Sequence, residues 1–290
     1  MLKTAQHIIL KDQRRLGFAE YGTPEGSPIV YCHGSQSSRL EMHYDHSFAE
    51  KNNLRILAVD RPGHGLSDMN SEGSILDFAR DVKQVTEHLN IDTFSVAGMS
   101  AGAPFALGIA YLYPKNVCKA GIISGFAPFS KQNKKHLTKE VKFLLNVAKS
   151  APYLLRLLLK TQTKSIKKNP LKSLQNFTKS MSEPDKKVLQ NDAVIAVMGT
   201  MFQEAFRNGS AGVAHEICKL LLNDWGFKIN EIQVPVHFWQ GEQDKNVPFE
   251  WAQYMYKQTK NGTLTSFSDE GHLIIFKHAE EIFRNLKHEY

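Results

Sequence analysis

Cysteine is scarce in this chain, acids are scarce in one long stretch of it, and no apolar run is long. Three cysteines, Cys32, Cys118 and Cys218, are spread over 290 residues. Few, odd in number and far apart, they make neither a disulfide framework nor a CxxC metal site, which fits a reducing, cytoplasmic setting. Cys32 and Cys118 sit in strand-like apolar runs and read as buried packing residues. No uninterrupted apolar run approaches the ~18–20 residues of a spanning helix, so no transmembrane segment is expected. Met1 to His7 contain no apolar h-region of a secretory signal. No recognised binding module accompanies the net charge of +7, so no nucleic-acid partner is expected. Internal repeats are also missing.

What is present is ordinary for a globular protein: 42% hydrophobic and 22% charged residues, enough for an α/β core with an inserted subdomain. Residues 6–22 read as two strands joined at Lys11-Asp12-Gln13. Ile29 to Cys32, Leu54 to Val59, Thr93 to Ala97 and Val117 to Ile123 are further strand candidates. Ser74 and Asp77 make an S-x-x-D helix start, followed by Ile75, Phe78, Ala79, Val82, Val85 and Leu89 at helical spacing. Strands alternating with helical patterns predict βαβ units and a mainly parallel sheet. The rhythm stops after Phe129 and returns with Val234 to Trp239, a helix near Phe249 to Lys260, a strand at Thr263 to Phe267 and a last helix. Neither flank completes a sheet alone. The expected layout is a core of residues 1–129 and 226–290 interrupted by a helical insertion, 130–225, with breaks near Ser150-Ala151-Pro152, Asn169-Pro170 and Asn208-Gly209.

Gly98-Met99-Ser100-Ala101-Gly102 lies between a strand pattern and a helical one. G-x-S-x-G in that context is a turn sharp enough to strain its central residue and lift the Ser100 hydroxyl above the sheet. A serine hydroxyl needs a base, and the base an orienting acid. His272 follows the last strand candidate, and Asp244 follows the one ending at Trp239. Both fall at carboxyl ends of strands, where open α/β sheets place their crevices. The order Ser…Asp…His separates this arrangement from the chymotrypsin and subtilisin orders.

With these residues in view, the chain resembles the α/β-hydrolase fold superfamily, in the form of a cap-bearing serine hydrolase. The resemblance rests on His33-Gly34, the turn Asp60 to Ser67, Gly98 to Gly102, Asp244 with Val247-Pro248, and Gly271-His272. It implies an α/β-hydrolase fold: a mostly parallel central sheet flanked by helices, with an inserted helical cap. It also implies catalytic Ser100, Asp244 and His272, and an oxyanion hole of the Ser35 and Ala101 backbone N–H groups. No metal and no organic cofactor is called for. The expected substrate is a small-molecule or lipid-like ester or related acyl compound. Amide or aminopeptidase chemistry, carbon–carbon hydrolysis and non-catalytic ligand binding stand as alternatives. The loop after His33 lacks the HGGG of many lipases and has Gln36 where many relatives have proline. His33 and His64 read as structural, His278 as solvent-facing, and Asp60 as an anchor for its turn.

Lysines crowd the insertion from Lys131 to Lys187, including Lys167 and Lys179, against only Glu140, Glu183 and Asp185. Phe143-Leu144-Leu145 and Tyr153 to Leu159 alternate with them. One reading is a cap whose apolar face walls the pocket and whose basic face makes weak contact with anionic lipid. The other, preferred because solvated lysine runs are common, is that the leucines pack the cap and the lysines face water. Oligomeric state is not encoded legibly.

Overall fold

The computed structural model describes residues 2–44, 46–169, 172–173 and 181–288; Met1, Pro170, Lys179 and the Lys167 side chain, named above, lie outside that set. Among the described residues, eight strands form where β-prone apolar runs are bounded by turn residues. They are β1 (Leu2–Ile9), β2 (Arg15–Gly22), β3 (Ser27–Cys32), β4 (Leu54–Val59), β5 (Phe94–Met99), β6 (Val117–Ile123), β7 (Val236–Gly241) and β8 (Gly262–Phe267). They join in one sheet in the order β1-β2-β4-β3-β5-β6-β7-β8. β1 pairs antiparallel with β2, and β2 with β4; every other pairing is parallel. β1 starts at Leu2, ahead of the expected start at residue 6, because pairing of Leu2 with Tyr21 and Lys3 with Glu20 extends it through residues with no pattern of their own.

Helices cover both faces: α1 (Ser47–Lys51), α2 (Ile75–His88) and α3 (Ala103–Leu112) come from the first half of the chain. The expected capping box starts α2: Ser74 Oγ accepts the Asp77 N–H while the Asp77 carboxylate accepts the Ser74 N–H. α3 is apolar all round and buried from Ala103 to Ala110, as a helix enclosed on every side requires.

After β6 the chain leaves the sheet. It forms α4 (Lys131–Lys134), α5 (Lys139–Ser150), α6 (Pro152–Lys168), α7 (Glu183–Val188), α8 (Asp192–Ala205) and α9 (Ala211–His215). A π-helical turn, Glu216–Leu221, continues α9. The sheet then resumes with Ala120 beside Val236 and Ile123 beside Trp239, so the two flanks of the insertion are neighbours in one sheet. α10 (Phe249–Gln258) and α11 (Ile275–Leu286) complete the fold. One face of the sheet packs on α2, α3 and α10 through residues such as Phe78, Phe105 and Trp251. The other packs on α1 and α11 through Phe48, Trp239 and Phe283.

Three expectations change. Cys32 is buried, but Cys118 is only half-buried, at the start of β6 beside Lys119, whose ammonium reaches Asn285. His278 is not solvent-facing: α11 lies close to β8, stacking its ring on Phe267 at 4.0 Å, and Glu281 lies 3.6 Å away. The apolar residues of α5 and α6 do not all pack inward. Leu145, Leu155 and Leu159 are buried, whereas Phe143, Leu144, Tyr153, Leu154, Leu157 and Leu158 are exposed. A helix offers its core one stripe, and these helices carry apolar residues on more than one.

Candidate active site

Ser100 sits at the carboxyl end of β5, in the first turn of a 3-10 segment, Ser100–Gly102, that leads into α3. Its φ is +52°, a left-handed conformation that costs a residue with a Cβ about 1–3 kcal/mol. The two flanking glycines are required by close approach. A Cβ on Gly98 would lie 2.5 Å from the Gly102 carbonyl oxygen, and one on Gly102 would lie 2.1 Å from that of Cys32. With both absent, α3 can start directly over the sheet. Ala101 is the second residue of the turn, so its N–H has no acceptor within the helix.

His272 comes from the loop after β8 and Asp244 from the loop after β7, as the sequence predicts. His272 Nδ1 lies 2.7 Å from Asp244 Oδ2, and His272 Nε2 lies 3.1 Å from Ser100 Oγ. A carboxylate only accepts, so Nδ1 carries the proton and Nε2 is left to accept from the Ser100 hydroxyl. Asp244 is itself fixed. Its Oδ1 accepts the backbone N–H of Asn246 and Val247, and its Oδ2 also accepts from Gln240 Nε2. Burial works against a charged His272, but the Asp244 carboxylate and its hydrogen bond outweigh burial, with Asp185 and Glu41 adding to them. The His272 pKa is therefore raised above the ordinary histidine value. A base must be neutral to accept a proton, so turnover should rise with pH through a pKa above 6.5. A pH profile of kcat/KM checks this; an acid limb centred below 6.5 would contradict it.

The loop after β3 lies beside the Ser100 turn because β3 and β5 are sheet neighbours. Arg61, fully buried, donates from Nη1 to the His33 carbonyl, from Nη2 to the Gly34 carbonyl at 2.9 Å, and from Nε to Glu216. In a trans peptide the C=O and the next N–H point in opposite directions, and no described peptide bond is cis. Holding the carbonyls of 33 and 34 on Arg61 therefore turns the N–H groups of Gly34 and Ser35 the other way. Glu41 Oε2 accepts the Gly34 N–H at 2.9 Å, together with the Tyr31 hydroxyl at 2.8 Å. Ser35 lines the cavity in front of Ser100. His33 is structural, accepting the Arg61 N–H at Nε2 and donating from Nδ1 to Gly34. Burial pushes its pKa far down, which keeps it neutral. His64 is likewise buried, its ring tilted against that of His33 with the centroids 5.3 Å apart. Asp60 anchors its turn as expected, accepting the Leu66 N–H and pairing with Arg39.

The insertion closes over this site. A cavity of about 150 Å³ lies in front of Ser100, walled by Met181, Met198, Met201 and Phe202 from above and by Met99 and Phe276 from the core. Asp185, buried near the start of α7, accepts the Leu273 N–H at 2.8 Å and so holds the loop that carries His272. Gly271 leaves room for it, since a Cβ there would lie 2.3 Å from Asp185 Oδ2. Two buried arginines tie insertion to core: Arg39 bridges Asp60 and Glu204, and Arg61 joins Glu216. Sequence reasoning had not assigned roles to Glu41, Asp185, Glu204, Glu216 or Gln240. Only Asp185 carried a local signal, the S-x-x-D start at Ser182, and that signal describes a helix cap.

The family model described as alpha/beta hydrolase fold matches residues 27–279, and the chain belongs to that family. The bifunctional esterase/perhydrolase DCH of Acinetobacter calcoaceticus is 25% identical over 97% of each chain. The AB hydrolase superfamily protein YisY of Bacillus subtilis is 25% identical over 97% of this chain and 95% of its own. Among solved structures, an esterase of Exiguobacterium antarcticum superposes with a TM-score of 0.71 at 20% identity, covering 97% of both chains. A bromoperoxidase of Bacillus anthracis gives 0.72 at 19%, covering 98% of this chain and 97% of its own. The mostly parallel sheet with helices inserted after β6 is the cap-bearing topology of this fold, and fold and homology support a hydrolase.

Proposed function

We propose that the chain is a serine hydrolase acting on small carboxylic esters. The observation that carries this is the hydrogen-bonded series Ser100–His272–Asp244, with its first member left-handed at the floor of an apolar cavity. Ser100 Oγ attacks the acyl carbon while His272 Nε2 takes its proton, and Asp244 stabilises the imidazolium that forms. The oxyanion accepts from the N–H groups of Ser35 and Ala101. Collapse of the tetrahedral adduct releases the alcohol, which leaves with the proton from His272. Water then repeats the sequence on the acyl-enzyme, and Ser100 is restored. The residues that act need no metal and no organic cofactor.

Ester chemistry is supported over aminopeptidase chemistry by the state of the acids. Asp185, Glu204 and Glu216 are each spent on a backbone N–H or an arginine, and Glu183 is exposed beside Lys186. Glu41 reaches the cavity wall, but it already holds Gly34 and Tyr31, and burial raises its pKa, which disfavours the charge an ammonium group would need. The test is hydrolysis of p-nitrophenyl esters of increasing acyl length by the native chain and by Ser100→Ala. A void of about this size holds a benzene-sized group, so turnover should be greatest for acyl chains of about four carbons or fewer. A maximum at long chains would contradict the cavity as the acyl site. Labelling of Ser100 by a fluorophosphonate without ester turnover would redirect the reading to amide or carbon–carbon bonds. No labelling would favour a ligand-binding relative.

A further inference from the structure

α5 and α6, both in the insertion, pack on each other. Successive residues of a helix turn by about 100°, which sorts α6 into two opposed faces. Leu155, Leu159, Thr163 and Ile166 fall on one and are buried. Tyr153, Leu154, Leu157 and Leu158 fall on the other and are exposed, Tyr153 at 76% and Leu157 at 61%. On α5, which packs against α6, Phe143, 71% exposed, and Leu144 are exposed as well. Six large apolar side chains on two adjacent helices are more than scattered exposure explains, and such a surface marks an interaction site.

The charge around it is of one sign. Residues 131–168 contain eleven Lys and Arg and a single acid, Glu140. Among the described residues, none of those cations joins an ion pair. Along α6 the exposed apolar face of the first turns gives way to Lys160, Lys164 and Lys168, long stems that can lie along an apolar layer with the ammonium in water. Where α6 begins, a mainly apolar recess of about 310 Å³ opens against α9, with Arg156, His215 and Lys219 on its wall and no acid. Tyrosine, phenylalanine and leucine on one face beside unpaired lysines is the make-up of a helix that lies in a lipid interface.

We infer that the α5–α6 hairpin docks this protein on anionic lipid bilayers, with Phe143, Tyr153, Leu154, Leu157 and Leu158 entering the interface and the flanking lysines meeting the lipid headgroups. The inner side of the same helix reaches the site: Gln162 donates to Gln36, next to Ser35. Docking therefore holds against the membrane a helix that is bonded to the loop beside Ser35. This inference goes beyond the hydrolase reading and does not depend on it, because vesicle binding is measured without turnover.

The test is co-sedimentation of the full chain with phosphatidylcholine vesicles, with and without phosphatidylglycerol, over a range of salt. Binding should be at least about tenfold stronger to the anionic vesicles and should fall as salt rises. A triple variant, Phe143→Ser with Tyr153→Ser and Leu157→Ser, should lose about tenfold or more of that binding. Its hydrolysis of a soluble p-nitrophenyl ester should be unchanged, since none of the three touches the cavity. Equal binding to neutral and anionic vesicles, or no binding at low salt, would overturn the inference. So would a concentration-dependent dimer in sedimentation equilibrium that the same triple variant dissolves, because a second copy would then be what covers the face.

Discussion

Ser100→Ala is expected to reduce kcat toward p-nitrophenyl acetate about 10⁶-fold, with KM little changed and the fold intact. The substitution removes only the hydroxyl that lies 3.1 Å from His272 Nε2. The loss corresponds to about 8 kcal/mol of transition-state stabilisation. It is that large because the three side chains act as one unit: without the nucleophile, His272 and Asp244 have no proton to move. Alanine retains the Cβ, so the left-handed backbone at position 100 is neither relieved nor worsened by side-chain size, and thermal unfolding should shift little. Activity measured with a titrated, contaminant-free preparation checks the size of the effect. A loss below about tenfold would remove Ser100 from the nucleophile's role.

Asp244→Asn is expected to lower kcat about 10⁴-fold, a smaller loss with a different cause. Asp244 now accepts four hydrogen bonds, two at each oxygen. An asparagine that keeps its oxygen on the Asn246 and Val247 amides must point its NH₂ at His272 Nδ1 and Gln240 Nε2. Donor then faces donor. His272 escapes by moving its proton to Nε2, which leaves no lone pair there for the Ser100 proton. The acid limb of the pH profile should also move down, because the carboxylate that raises the His272 pKa is gone. Loss of activity with no movement of that limb would show that position 244 acts on the fold of its loop and not on His272.

The parts of this arrangement that were legible in the sequence are those whose physics is local. Gly98 to Gly102 encode their own turn, since the two glycines and the strained serine follow from one close crossing of β5 and α3. The capping box of Ser74 and Asp77 spans three residues. Asp244 and His272 could be placed because each follows a strand, and parallel strands deliver their carboxyl ends to one edge. What was not legible depends on contacts between distant segments. Asp185 meets the His272 loop across 88 residues, and Arg61 meets Glu216 across 155. Neither pair leaves a periodic trace. The outward apolar face of α6 was hidden for another reason: leucines at consecutive positions mark two stripes at once, and periodicity does not say which of them the core takes.

The most direct test of the central claim is to treat the native chain with a fluorophosphonate, digest it and locate the adduct by mass spectrometry. A single adduct on the peptide containing Ser100, formed rapidly in the native chain and greatly slowed in His272→Ala, is the predicted result. An adduct on another serine, or equal labelling of Ser100 with and without His272, would contradict it.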